Sequence, residues 1–81
     1  MTIPERVNAS WIATLGDQQL LRAEATLHAE FQQNESVEKQ RRGARYAVLE
    51  GPEVLVNSWL RWLLVNNETK ARGLQIRRRS R

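Results

Sequence analysis

From Gly16-Asp17 onward the chain sets Leu20, Glu24, Leu27 and Phe31 at i, i+4, i+7 and i+11, with Leu21, Ala23 and Ala25 beside them. That spacing follows the 3.6-residue period and predicts an amphipathic helix over about 17–33. Asp17 reads as its N-cap, with a charge suited to the positive end of the helix dipole. Ahead of it, Pro4 and Asn8 argue against an early helix. Trp11, Ile12 and Leu15 form a small apolar cluster that needs a surface to cover it.

The middle of the chain supports two readings. Glu35 to Arg42 is rich in helix formers, and Glu35 stands four residues before Lys39, a favourable helical pair. Gly43 either ends a helix there or lies inside one running to Glu50, with Val37, Arg41, Ala44 and Val48 on one face. Read as a strand, Ala44 to Leu49 is a short apolar run flanked by glycines. Gly51-Pro52-Glu53 is the clearest break, because Gly closes the preceding element and Pro suits a first helical position. A helix follows from 52 to about 66, with an extension over Asn67 to Arg72 up to Gly73 as the alternative end. Leu74, Gln75 and Ile76 alternate briefly. The predicted fold is mainly α, a small domain of two to three helices over 1–73 with a basic C-terminal arm over 74–81. The alternative is α+β, with short strands near 44–49 and 74–78.

Nine of the twelve residues from Val54 to Val65 are apolar, and the exceptions, Asn57, Ser58 and Arg61, fall on one narrow face. Such a helix is apolar around most of its circumference, so it belongs at the centre of something. An 81-residue chain has little else to cover it, which points to a homodimer or another partner held through Leu55, Trp59, Trp62 and Leu63; the alternative is that helix 17–33 and the Trp11 cluster pack around it and complete a monomeric core. The two tryptophans read as anchors of a core or interface. Platforms for stacking bases are usually interleaved with charge.

Charge changes the picture at one end. The chain carries 13 Lys and Arg against 9 Asp and Glu. Lys70, Arg72, Arg77, Arg78, Arg79 and Arg81 all lie in the last twelve residues, which hold no acid. Without them 7 basic residues face 9 acidic ones, so the net positive charge belongs to the tail. A second basic cluster is Lys39, Arg41, Arg42 and Arg45. Arginine dominates both, which suits bidentate phosphate contacts. DNA or RNA is therefore the expected partner, bound mainly through phosphates, with Lys39–Arg45 and the tail forming one positive surface if they share an edge of the fold. A helix–turn–helix centred on Gly51-Pro52 fits poorly, because the exposed face of its recognition helix would offer only Asn57, Ser58 and Arg61 and the rest is too apolar for a major groove.

Catalytic parts are missing from the pattern. His28 has no second histidine and the chain has no cysteine, so no transition-metal set is legible. The four glycines stand singly and form no phosphate-cradling loop. The expectation is a non-enzymatic regulator without a cofactor. The alternative is an adaptor docking on a larger protein, such as a polymerase, through its apolar helix. Absence of cysteine, of a signal-like start and of a long apolar span favours a cytoplasmic protein off the membrane. The N-x-[ST] triplets at Asn8, Asn34 and Asn67 read as turn and cap chemistry rather than glycan acceptors.

Overall fold

The computed structural model describes residues 2–43 and 51–76. Three helices occur among them, α1 (Ala9–Ala13), α2 (Asp17–Arg42) and α3 (Glu53–Ala71), and no strand. The mainly α prediction holds. The proposed strand at 44–49 lies outside the described residues, as do 77 and 78, and Leu74 to Ile76 is irregular.

Asn8 starts a helix instead of opposing one. Its side-chain oxygen accepts from the Trp11 N–H at 2.9 Å and caps α1. Asn34 and Asn67, in contrast, lie inside α2 and α3 and cap nothing. Asp17 is the first residue of α2 and not its cap; Gly16 holds that position, and its N–H donates to the Gln19 side chain at 3.0 Å. Ile12 of α1 and Leu15, between α1 and α2, turn into the core.

α2 runs nine residues beyond the predicted end at 33. Its apolar stripe stops at Phe31, and the last turns are held by charge. Glu35 pairs with Lys39 and Glu38 with Arg41, each at 3.6 Å. Gly43 then leaves the helix at φ +57° and ψ −126°, a conformation open mainly to glycine.

α2 and α3 pack as an antiparallel pair. Residue numbers fall along α3 as they rise along α2, from Asp17 beside Arg72, through Glu24 beside Asn66 and Trp62, to Glu30 beside Arg61. Val7, Ile12, Leu15, Leu20, Ala23, Leu27 and Val65 form the core, with Ile3, Trp11, Trp62 and Leu74 packed against it. The N-terminal segment closes one side. Arg61 holds it by donating to the Pro4 carbonyl at 3.0 Å. No helix of the described residues is long and apolar enough to cross a membrane.

Candidate interaction surfaces

The polar face expected on α3 is largely internal. Ser58 is buried, its hydroxyl donating to the Leu55 carbonyl one turn back at 2.8 Å, and Thr69 does the same to Val65 at 2.8 Å. Such back-bonds satisfy a hydroxyl without water. Arg61 turns to Glu30, at 3.0 Å, and to Pro4. Of the three polar exceptions only Asn57 is exposed.

At the centre of the helix pair Glu24 is 1 % exposed. One carboxylate oxygen accepts from the Trp62 indole N–H at 2.6 Å and from the Asn66 amide at 3.3 Å. Phe31 stacks on Trp62 with 5.7 Å between ring centroids and 3° between planes, and His28 meets the same indole at 5.3 Å and 56°. Trp62 is thus a core side chain with a polar anchor. Leu55, expected at a partner interface, is fully buried within its own chain. Trp59 and Leu63 are half-buried.

What α3 turns outward includes large apolar side chains. Leu60 is 43 % exposed and Leu64 45 %, with Asn57, Asn67 and Ala71 exposed along the same side, while Val54, 61 % exposed, lies about a third of a turn round the helix. Sequence reasoning missed this face by assigning exposure to the polar residues. Nothing in the local pattern marked it, because every helix has positions at 3–4 spacing and of 57, 60, 64, 67 and 71 only Leu60, Leu64 and Ala71 are apolar.

The basic residues separate into three groups. Lys39, Arg41 and Arg42 end α2, where cations also suit the negative end of the helix dipole. Arg41 keeps its side chain 73 % exposed despite its contact with Glu38. Lys70 is exposed in the last turn of α3. Arg72, expected among the phosphate contacts, is engaged internally. It donates to Glu68 at 2.8 Å, to Asp17 at 3.1 Å, and to the carbonyls of Leu15 at 2.9 Å and Ile12 at 3.3 Å. Its hydrogen bonds to Glu68, and secondarily to Asp17, raise its pKa above the ordinary arginine value. Arg45, Arg77, Arg78, Arg79 and Arg81 lie outside the described residues.

The antiparallel arrangement also separates the clusters. Asp17 lies beside Arg72, and 25 residues of helix at 1.5 Å each put about 37 Å between that end and Arg42. One chain therefore does not bring Lys39–Arg42 and the start of the tail onto a single edge. Among the described residues no three His, Cys, Asp or Glu side chains gather as a metal-binding set. Comparison with protein-family models, curated proteins and solved structures gives no match for this chain.

Proposed function

We propose that this is a small non-enzymatic nucleic-acid-binding protein that contacts phosphates through its basic segments in a regulatory role. One observation carries the reading: the charge of Lys70 to Arg81 has no acidic residue within it. Setting aside Arg72, which its own chain engages, leaves Lys70, Arg77, Arg78, Arg79 and Arg81 to meet an anion. Lys39, Arg41 and Arg42 at the far end of α2 form a second contact, and with Arg45 complete the middle cluster. Phosphate contact of this kind is read by charge and shape, so sequence preference should be weak.

The test is fluorescence anisotropy of labelled DNA duplex, single strand and RNA hairpin at several salt concentrations. The five contacts of the terminal segment alone contribute about −4.5 to the slope of log K against log salt on duplex DNA. Deleting Gln75–Arg81 removes four arginines and should reduce that slope by about 3 to 4. An unchanged slope would remove the tail from the reading, and no binding at low salt would remove nucleic acid.

The exposed Leu60 and Leu64 on the outer side of α3 favour a second reading, a module that docks on a larger protein. Association through that face should hardly respond to salt.

A further inference from the structure

We infer that the outer face of α3 is covered by a second copy of this chain, packed antiparallel to the first. The face is set by the spacing of Asn57, Leu60, Leu64, Asn67 and Ala71, all exposed, on the side of α3 opposite the buried Leu55, Ser58, Val65 and Thr69. Between Glu53 and Lys70 the ionised residues of α3 are Arg61 and Glu68, and both are turned to partners in their own chain, Glu30 and Arg72. Nothing along the middle of the face requires an oppositely charged ligand.

The order of the residues is self-complementary when two such helices run in opposite directions. With the two-fold axis at the level of Trp62, Leu60 meets Leu64 of the partner subunit. Asn57 then meets Asn67 of the partner subunit, and an amide both donates and accepts, so two amides satisfy each other. At the two ends the exposed Glu53 comes within a turn of Lys70 of the partner subunit. Neither residue has an ion pair among the described residues of one chain. Antiparallel helices also oppose their dipoles. A two-fold interface demands that each side carry both halves of every contact, and this helix does. Leu63 lies close to the axis, and Val56 flanks the seam.

The same operation repairs the separation of basic clusters. Glu53 lies eight residues before Arg61, and Glu38 eight after Glu30, so the start of α3 is level with the end of α2. Each pole of the dimer then carries Lys39, Arg41 and Arg42 of one subunit and Lys70 of the other. Two helix spacings of about 10 Å each put these some ~20 Å apart across the layers. This last consequence rests on the nucleic-acid reading; the dimer does not.

Sedimentation velocity of the full chain without nucleic acid tests the dimer by itself. The expected mass is twice the 9.4 kDa of one chain. Leu60→Asp and Leu64→Asp should each weaken association at least about 100-fold, because a carboxylate would be buried without a partner. Their far-UV circular dichroism should not change. Val37→Asp, at an exposed apolar position of α2, should leave the dimer intact. Glu53→Lys and Lys70→Glu should each weaken it roughly tenfold, and mixing the two variants should restore wild-type affinity, since each then supplies the charge the other lacks. A monomer at every concentration, or a dimer indifferent to both Leu substitutions, overturns the inference. A mixture that stays weak overturns the antiparallel register. Loss of nucleic-acid binding with the dimer intact would count against the proposed function alone.

Discussion

Glu24 sits in the apolar stripe of α2 at a position where leucine would be the ordinary choice, and Trp62 and Asn66 supply the donors that let an acid remain there. A buried acceptor that loses its donor costs more than the bond contributed, because its desolvation is left uncompensated. Trp62→Phe keeps most of the ring volume and removes the indole donor, so it should destabilise by about 1–3 kcal/mol in urea unfolding. Trp62→Ala also empties the space against Phe31 and His28 and should cost more, about 3–5 kcal/mol. A Phe variant as stable as the parent would show that the 2.6 Å bond contributes nothing. The stripe position of Glu24 was legible from its spacing with Leu20 and Leu27. Its partners were not, because Trp62 is 38 residues away and local periodicity carries no information across that distance. Ser58 and Arg61 were misread for a related reason: polarity was equated with exposure, whereas a back-bond to Leu55 and a pair with Glu30 let both turn inward.

At the level of elements, α2 and α3 were recognisable from apolar spacing and from Gly51-Pro52, but both proved longer than the stripes that revealed them. α2 outruns its core after Phe31 and continues on Glu35–Lys39 and Glu38–Arg41 pairs; a pattern based on burial stops where burial stops. The helix ends depend on backbone geometry. Gly73 has φ +72° with open space around its missing Cβ, so Gly73→Ala meets no clash and should still cost about 1–2 kcal/mol through the left-handed backbone alone. Thermal or urea unfolding checks this. Arg72 joins three elements, reaching carbonyls at the end of α1, the first residue of α2 and its own helix. Arg72→Gln should therefore lower hydrogen-exchange protection around Ile12 to Leu15 and leave the centre of α2 and α3 protected. Equal protection throughout would deny the clip its role. Its raised pKa stabilises the fold wherever arginine is charged and is lost only as pH rises through the folded value. Titration near neutrality leaves it in place.

For the whole molecule, the charge pattern identified two basic segments, but their relation in space depended on the antiparallel turn. Adjacent functions in a sequence can occupy opposite ends of a hairpin. An 81-residue body with an apolar face uncovered should gain stability by association, so its melting temperature should rise with protein concentration. Leu64→Asp should abolish that rise, which differential scanning fluorimetry over a 100-fold concentration range would detect. Deleting Gln75–Arg81 should leave the melting temperature unchanged, since among the described residues Leu74 is the last one packed against the core. The Arg72 clip also decides where a load on the C-terminal segment would be borne. Tension entering along the C-terminal segment reaches Gly73 and then a guanidinium fastened to α1, α2 and Glu68 at once. These bonds share the load in parallel, so a pull on that segment would be carried into the N-terminal segment before it could unwind the last turn of α3.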